Sequence, residues 1–445
     1  MSTKVTIISL GCDKNLVDSE KILAQLASKG YEITDSADEA DVAVINTCCF
    51  IHDAKQESID TILATAGLKE TGKLRFLLVT GCLATRYSED IKGLIPEVDA
   101  IIGSSASDEI DRVIKDLYKN SLEEKIVKKD IDHEPELSEH RLHNTLKNYT
   151  YIKIADGCDK RCTYCVIPSI KGKYRSLKFE DILKEAEEAV KCGKNEIILV
   201  AQETTVYGVD LYGHKRIAEL LRRLNEIDGL EWIRLMYCYP EEIDNDLIEA
   251  LSDCDKVCKY IDMPIQHISD SVLKRMGRKT TGRDIKNIIK TLREKIPDIV
   301  IRTSLITGFP METEEEHKEL LKFIKDYKLE RVGVFTYSKE EGTPAAKMKP
   351  QVLKRIKEKR RDELMTAQQK VVFAQNKALK GKILKAVIEG WLTEEEVYVG
   401  RTMRDAPDID GYVFIESGKE LVSGSMVNVK IKNASGYDLI GTVTE

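Results

Sequence analysis

The sequence lacks any hydrophobic run that approaches the roughly 20 apolar residues needed to span a bilayer. Its first residues, MSTKVTIISLGC, lack the pattern of a signal peptide. We therefore expect a cytoplasmic protein with no membrane partner. An excess of positive charge is also missing, since 69 Lys and Arg stand against 76 Asp and Glu, a net charge of −7. That balance gives no general reason to expect nucleic-acid binding.

The composition is that of an ordinary globular protein, with 42% hydrophobic and 33% charged residues. A chain of 445 residues has room for about three domains. Eleven cysteines are present, and in a reducing compartment they indicate metal or redox chemistry rather than disulfides.

Residues 1–120 alternate buried-strand runs with helical patterns. The strand runs are KVTIISL, DVAVINT and RFLLVT, and the stretch LVDSEKILAQLASKG reads as a helix that Gly30 ends. This βαβ pattern predicts an N-terminal domain with a parallel sheet covered by helices.

A polar, charged stretch at 121–148 is predicted to be a linker, and a second α/β series follows at 149–375. Its strand runs are YTYIKIA, EIILVAQ, WIRLMYC, YIDMPIQ, IVIRTSLIT and RVGVFTYS. Six βα units predict a partial (β/α)6 barrel whose chemistry lies at the C-terminal strand ends. Residues 376–445 carry short alternating strands with glycine-rich turns, which predict a small antiparallel β-barrel of OB-like size. The fold class is thus α/β multidomain.

Three cysteines follow the first barrel strand in the stretch ADGCDKRCTYC. Cys158, Cys162 and Cys165 have the spacing C-x3-C-x2-C. Three cysteines on one polar loop make buried thiols an unlikely explanation, and a closed structural zinc site would need a fourth ligand that nothing nearby supplies. Zinc is not excluded by spacing alone. The alternative is an iron–sulfur cluster with one iron left open.

This motif, after the first strand of a partial barrel, resembles the radical S-adenosylmethionine (SAM) superfamily. The resemblance implies a 4Fe–4S cluster whose fourth iron is chelated by the amino and carboxylate groups of SAM. It also implies reductive cleavage of SAM to a 5′-deoxyadenosyl radical, which removes hydrogen from an unactivated carbon.

Four residues at strand ends are candidates for SAM contacts. The superfamily often has a Gly-Gly-Glu-like turn where this chain has Ala201, Gln202 and Glu203, so the correspondence is approximate. Arg302 and Ser304 alternate on the fifth barrel strand before TGFP. Inward polar groups there could contact SAM, although Arg302 could equally hold a structural ion pair.

The first domain also places a cysteine after each of three strands: Cys12 in SLGC, Cys48 in INTC and Cys82 in VTGC. Carboxyl ends of parallel strands meet at the sheet edge where open α/β sheets bind ligands. Scattered cysteines are more often core residues, but the shared position favours a second three-cysteine 4Fe–4S cluster. Cys49 adjoins Cys48, and the register of NTC favours Cys48 as the ligand.

Together these features resemble the methylthiotransferases, which combine such an N-terminal domain, a radical SAM core and a C-terminal TRAM barrel. The resemblance implies that the second cluster delivers sulfur to the substrate radical, and that an electron donor such as flavodoxin or ferredoxin and a sulfur donor are partners. The remaining cysteines, Cys192, Cys238, Cys254 and Cys258, are expected to be unligated.

Several stretches resemble the branch of this family that modifies the β-carbon of an aspartate in small-subunit ribosomal protein twelve. They include GCDKNLVDSE, CVIPSIKGKYRS and RDAPDIDGYVFI. Met311 in GFPMETE stands where the family usually has glycine. The alternative branch modifies adenosine in tRNA.

Charge favours the ribosomal-protein branch. Residues 381–445 carry a net charge of −4, whereas a tRNA-binding barrel should present a basic face. An acidic barrel suits a basic ribosomal protein, and we expect Asp408 and Asp410 to be docking charges. Residues 347–382 are basic, so direct nucleic-acid binding remains a secondary expectation.

Two non-enzymatic functions explain the sequence less well than catalysis does. An iron–sulfur electron-transfer protein would need a cysteine for every iron, and a nucleic-acid-binding module would not explain six cysteines. Two sites that each leave one iron open favour an enzyme.

Overall fold

The computed structural model describes residues 2–72, 74–142 and 147–444. They divide into two compact units. Unit 1 contains the described part of residues 1–146 together with Ala155–Arg175 and Glu340–Thr343. Unit 2 contains Lys147–Ile154, Ser176–Lys339 and residues 344–444. The predicted boundaries at 120, 148 and 375 stay predictions, and residues 143–146 of the predicted linker lie outside the described residues.

The secondary structure follows the predicted alternation. The strands are β1 Lys4–Ser9, β2 Glu32–Ile33, β3 Val42–Thr47, β4 Phe76–Gly81, β5 Ala100–Ile102, β6 Ile126–Val127, β7 Tyr149–Lys153, β8 Ala155–Asp156, β9 Arg175–Ser176, β10 Glu196–Val200, β11 Trp232–Leu235, β12 Val257–Asp262, β13 Val300–Thr307, β14 Arg331–Thr336, β15 Ile383–Leu392, β16 Val397–Thr402, β17 Val413–Glu416, β18 Met426–Ser435 and β19 Asp438–Val443. The helices are α1 Asp13–Ser28, α2 His52–Thr71, α3 Cys82–Arg86, α4 Ser88–Leu94, α5 Ile110–Lys119, α6 Pro168–Lys171, α7 Phe179–Lys191, α8 Val209–Tyr212, α9 Ile217–Asn225, α10 Asn245–Asp253, α11 Asp270–Arg275, α12 Gly282–Lys295, α13 Glu314–Tyr327, α14 Pro344–Lys347 and α15 Lys354–Ala378.

Unit 1 is built on a parallel sheet. Among the described residues this sheet has six strands in the order β2-β1-β3-β4-β5-β6, and its pairs are parallel. All of β3 is buried, as expected for a central strand of a sheet covered on both faces. The edge strand β6 lies in the stretch that was predicted to be a linker. It belongs to the sheet because Ile126 and Val127 pair with the end of β5.

Unit 2 contains the predicted partial barrel. In the part of the chain that the structure describes, six parallel strands are ordered β14-β13-β12-β11-β10-β7. Capping boxes start two of its helices: Thr281 caps α12 with Asp284, and Thr313 caps α13 with Glu316.

The C-terminal strands of unit 2 close into a small barrel. Its order is β15-β16-β17-β19-β18 within the described residues. The neighbouring strands are antiparallel except for β17 and β19, which pair in parallel. The α/β multidomain fold with a terminal barrel is confirmed, with this one parallel pair as a difference.

The partial barrel and the terminal barrel share a buried ion network. Glu196 on β10 accepts hydrogen bonds from Arg234 on β11 at 2.9 Å and from Arg401 on β16 at 2.6 Å. All three side chains are 0% exposed. Burial raises the pKa of Glu196, but Arg401 and Arg234 outweigh it and hold the pKa below its ordinary value. The two domains are therefore joined by charge as well as by apolar packing.

Helix α15 is only partly solvated. Leu364 and Gln368 are buried on the face that packs on α13 and β14, while Lys354 and Lys359 are exposed. Of the described helices, none has the length and apolar character to cross a membrane.

Candidate functional site

The three cysteines of the N-terminal domain lie at the carboxyl edge of its parallel sheet. Cys12 caps the start of α1 just after β1, Cys48 follows β3, and Cys82 begins α3 after β4. Cys48 and Cys82 are 6% and 8% exposed, so both side chains are almost fully buried at this edge. Burial raises the pKa of both Cys48 and Cys82, and Cys12 adds to the rise at each, which places the three residues near one another.

Two glycines make room at this edge. Gly11 has φ +86°, and a Cβ there would stand 2.7 Å from the Cys48 sulfur. Gly81 has φ +90°, and a Cβ there would stand 2.4 Å from Asn46 Oδ1. Both positions therefore need glycine, for conformation and for space.

Side-chain hydrogen bonds tie the cysteine-bearing loops together. Asn15 Nδ2 donates to Leu10 O at 2.9 Å and to Thr47 O at 3.0 Å. Ser58 Oγ donates to Cys48 O at 2.8 Å and accepts from Cys48 N at 3.0 Å. These hydrogen bonds hold the sheet edge in place. The sequence did not predict the contacts of Asn15 and Ser58, because a polar residue inside a helix carries no local signal of such a contact.

Cys49 occupies a different environment from Cys48. It is 0% exposed within the hydrophobic core beneath the sheet. Burial raises the pKa of Cys49 to about 11, and the hydrogen-bonding Arg86 guanidinium opposes that rise. Arg86 itself donates to Glu340 Oε2 at 3.0 Å and to Glu341 O at 2.8 Å. The sequence did not predict this contact, because Glu340 lies 254 positions from Arg86 along the chain.

The C-x3-C-x2-C loop belongs to unit 1, the same unit as the first cysteine set. Cys158 N donates to Gly172 O at 3.2 Å, Cys165 N donates to Cys162 O at 3.1 Å, and Ile167 N donates to Cys165 Sγ at 3.4 Å. Gly157 has φ +75°, and a Cβ there would stand 1.9 Å from Lys173 O. The loop is therefore folded tightly onto its own end.

The apolar residues that follow this loop anchor it. Val166 and Ile170 belong to the same buried core as Cys49 and Cys82. One core therefore contains Cys82 of the first set and the residues that follow the second set, which the sequence could not show because the two segments are far apart along the chain.

The donor chemistry of both sets suits iron–sulfur clusters. All eleven cysteines lie in the described ranges, and none of them forms a disulfide. Burial raises the pKa of Cys48 and Cys82, and it raises that of Cys165 to about 12, so these groups are thiols until a metal displaces the proton. Among the described residues no three His, Cys, Asp or Glu side chains converge on a single metal ion. In a cubane cluster each cysteine binds its own iron.

Gln202 and Glu203 lie just past β10 in unit 2. Glu203 is 1% exposed, and its Oε1 accepts a hydrogen bond from Thr205 Oγ1 at 2.6 Å. Thr204 Oγ1 donates to Met236 O at 2.6 Å, which fixes this turn against the end of β11. The predicted role of the turn in SAM binding stays a prediction.

Arg302 and Ser304 lie on β13 as predicted. Arg302 Nη1 donates to Asp262 Oδ1 on the neighbouring strand at 2.6 Å, which is the ion pair that the sequence left open. Ser304 is half-buried, and its carbonyl accepts from Gln266 N at 2.9 Å. A SAM contact at either residue stays a prediction.

The two aspartates expected to be docking charges differ in exposure. Asp408 is 57% exposed, and its Oδ2 accepts from Lys147 Nζ at 2.6 Å and from Tyr149 OH at 2.5 Å. The Asp410 side chain is 5% exposed and accepts from Tyr260 OH at 2.8 Å. The expectation of an exposed charge is therefore wrong for Asp410, while docking at Asp408 stays a prediction.

Three family models match successive parts of the chain. Residues 4–103 match the model described as uncharacterized protein family UPF0004, residues 152–324 match the radical SAM superfamily, and residues 381–444 match the TRAM domain. This order agrees with the N-terminal sheet, the partial barrel and the terminal barrel.

Full-length relatives decide the family. The chain is 53% identical over 439 residues to the ribosomal protein uS12 methylthiotransferase RimO of Lachnoclostridium phytofermentans, covering 99% of each chain. It is 50% identical over 448 residues to RimO of Acetivibrio thermocellus, covering 100% of this chain and 99% of the relative. The chain belongs to the RimO family. The predicted resemblance is confirmed.

Solved structures agree with the fold of this RimO family member. A radical SAM methyltransferase, TsrM from Kitasatospora setae, aligns with a TM-score of 0.56 at 14% identity and covers 78% of this chain and 77% of its own. The cobalamin-dependent radical SAM enzyme OxsB aligns with a TM-score of 0.52 at 15% identity, covering 82% of this chain and 56% of its own. At these identities the likeness concerns the fold alone.

Met311, where the RimO-like pattern has glycine, adopts a backbone conformation that favours glycine. Its φ is +66°, and its N–H donates to Pro350 O at 3.0 Å. The turn has kept its shape at some conformational cost.

Proposed function

We propose that this chain is a radical SAM methylthiotransferase that adds a methylthio group to the β-carbon of an aspartate in ribosomal protein uS12. The observation that carries the proposal is that one unit contains both three-cysteine sets in a chain about 50% identical to RimO proteins over its full length. The RimO names supply the substrate protein, and the cysteines supply the chemistry.

Cys158, Cys162 and Cys165 would hold the cluster that takes SAM. Bound together, a reduced cluster and SAM supply a radical that removes hydrogen from an unactivated carbon. The chain's own contribution is to fix the three thiols: Cys158 N donates to Gly172 O, and Ile170 anchors the loop in the core. Three cysteines for four irons would leave the fourth iron open for SAM.

Cys12, Cys48 and Cys82 would hold the second cluster, from which sulfur reaches the substrate. The space beside Gly11 supports Cys48 as the third ligand, since a side chain there would strike its sulfur. Cys49 faces the core and Arg86 instead. Its role in this proposal is to pack the loop that carries Cys48.

Gln202, Glu203, Arg302 and Ser304 would line the SAM site at the strand ends of the partial barrel. Thr205 Oγ1 donates to Glu203 Oε1, which orients this carboxylate at the end of β10. Asp262 in turn orients Arg302. We expect these residues to affect SAM affinity more than cluster content.

The partners in this proposal are uS12, an electron donor such as flavodoxin or ferredoxin, and a sulfur donor. Docking of the basic uS12 would use carboxylates of the terminal barrel that are exposed, such as Glu394, Glu395 and Glu396 on the β15–β16 hairpin. Direct contact with nucleic acid would be secondary.

The test is anaerobic reconstitution with iron, sulfide, SAM and a reductant, followed by mass spectrometry of two substrates, purified uS12 and bulk tRNA. We expect a methylthio mass increase on one uS12 aspartate and none on tRNA. Methylthiolated adenosine in tRNA with unmodified uS12 would overturn the proposal. A Cys158→Ala/Cys162→Ala/Cys165→Ala variant is the control and should lose SAM cleavage and about half of its iron, because one of two equal clusters is removed.

A further inference from the structure

Lys171 is a buried ammonium group in unit 1 that the proposed chemistry does not yet use. Its side chain is 9% exposed, and its Nζ lies 3.3 Å from Asp18 Oδ2 and 3.5 Å from Asp156 Oδ2. Burying a charge is costly unless it is paired. The two carboxylates keep this ammonium charged.

The elements that meet at Lys171 are those that carry the two cysteine sets. Asp18 lies on α1, the helix that Cys12 caps, and Asp156 lies two residues before Cys158. Lys171 ends α6, and its neighbour Ile170 packs in the core that contains Cys82. The ammonium is therefore placed beside the N-terminal set and next to the loop of the second set.

The backbone around Lys171 is fixed. Lys171 N donates to Ile167 O at 2.8 Å, and its carbonyl accepts from Arg175 Nη2 at 3.0 Å. The next residue, Gly172, has φ +72° and accepts the hydrogen bond from Cys158 N. A long side chain on such a segment has little freedom to move its charge.

The packing of α6 brings Lys171 close to the N-terminal cysteines. Lys171 ends α6, which packs on α3, and Cys82 is the first residue of α3. Its Nζ pairs with Asp18 on α1, the helix whose N-cap residue is Cys12. Three thiolates and an added anionic sulfur would leave this site with a net negative charge even after the positive charge of the iron–sulfur core is counted, and a low dielectric makes a nearby cation more effective.

We propose that Lys171 stabilises the negative charge of the N-terminal cysteine site when that site holds a cluster and its exogenous sulfur. The inference rests on the proposed function, since it assumes that Cys12, Cys48 and Cys82 hold a cluster. Lys171 acts through the thiolates and touches no reacting atom, so it is a positioning residue. Net charge and surrounding dipoles set the potential of iron–sulfur clusters, so removal of this cation should make the cluster harder to reduce.

The test uses the full chain carrying Cys158→Ala, Cys162→Ala and Cys165→Ala, so that the N-terminal cluster alone gives the signal. Its midpoint potential is followed by electron paramagnetic resonance during a redox titration. We expect Lys171→Met to shift the potential to more negative values and to weaken the binding of added hydrosulfide. Asp18→Asn removes the negative charge that pairs with Lys171 and should shift the potential to more positive values.

Lys171→Arg and Lys173→Met are the controls. The first keeps the charge, and the second removes a charge from an exposed lysine two residues away. Both should leave the midpoint potential unchanged. Opposite shifts in Lys171→Met and Asp18→Asn cannot come from a general loosening of the fold, which would move both in the same direction.

Two results would overturn the inference in distinguishable ways. If the parent variant binds iron but Asp18→Asn and Lys171→Met leave the potential unmoved or move it in one direction, Lys171 has no electrostatic role. If the parent variant binds no iron, the second cluster is absent and the proposed function fails together with this inference. Should Lys171→Met not fold, Lys171→Gln, which also removes the charge but keeps a polar side chain beside Asp18 and Asp156, takes its place in the same comparison with Lys171→Arg.

Discussion

At the scale of single residues, Cys48 and Cys49 show how neighbouring side chains take different roles. Gly11 leaves space for the sulfur of Cys48, whereas Cys49 is enclosed in the core with Arg86. Successive residues in extended backbone point to opposite sides. One of the two thiols can therefore face the sheet edge while the other packs inside.

This difference gives the first prediction. Cys48→Ala should lose about half of the reconstituted iron, because one of two clusters lacks a ligand, while Cys49→Ala should keep both clusters and lose some stability. Iron and sulfide content and Mössbauer spectra measure the outcome. Retained iron in Cys48→Ala with loss in Cys49→Ala would show that the neighbour is the ligand.

Met311 gives a second prediction at this scale. Replacing it with glycine should raise the free energy of unfolding by about 1 kcal/mol, because its φ of +66° is strained for any residue with a Cβ. Denaturant unfolding measures the change. Met311→Ala keeps the Cβ and removes the rest of the side chain, so it should bring no gain. An equal gain from alanine would show that the side chain, not the backbone, is the cause.

At the scale of elements, the buried Glu196 joins strands of two domains through Arg234 and Arg401. Glu196→Gln leaves two buried guanidinium groups with too little negative charge, and we expect a loss of about 3–5 kcal/mol in the free energy of unfolding. Glu231→Gln is the matched control. Glu231 pairs with Lys385 across the same two domains at 2.7 Å, but its side chain is 42% exposed, so its loss should be under about 1 kcal/mol.

The same carboxylate predicts a pH dependence. Its pKa in the native state lies below its ordinary value of 4.5, so the unfolded chain takes up the proton first as the pH falls. Glu196 therefore adds stability that is fully present above about pH 4.5 and is lost at lower pH. The difference in unfolding free energy between wild type and Glu196→Gln should shrink as the pH falls below that value. A difference that stays constant down to pH 3 would contradict this sign.

At the scale of the whole molecule, the acidic terminal barrel gives the last prediction. Glu394→Lys with Glu395→Lys should raise the KM for uS12 several-fold and leave uncoupled SAM cleavage unchanged. The effect should fade at high salt, because the Debye length shrinks from about 10 Å at 0.1 M to about 3 Å at 1 M. Glu249→Lys with Glu294→Lys makes the same charge change on exposed helix residues elsewhere and should leave KM unchanged. If both double substitutions raise the KM equally, the net charge of the protein, and not the terminal barrel, attracts uS12.

The sequence by itself determined the order of the domains and the position of the candidate ligands. Strand runs such as DVAVINT are local patterns, so β3 and the cysteine after it could be placed without tertiary information. The spacing of Cys158, Cys162 and Cys165 is also local, because one loop carries all three. For the same reason the β-barrel could be predicted, although the parallel pairing of β17 and β19 could not.

The tertiary structure alone decided which charges are buried and which residues share a core. Asp408 and Asp410 look alike in the sequence, yet Asp408 is 57% exposed whereas Asp410 is 5% exposed and accepts a hydrogen bond from Tyr260. Arg86 meets Glu340, 254 positions away along the chain, and Lys171 pairs with Asp18, 153 positions away. A charge is stabilised or exposed according to the groups that surround it in space. No local pattern in the sequence specifies those groups.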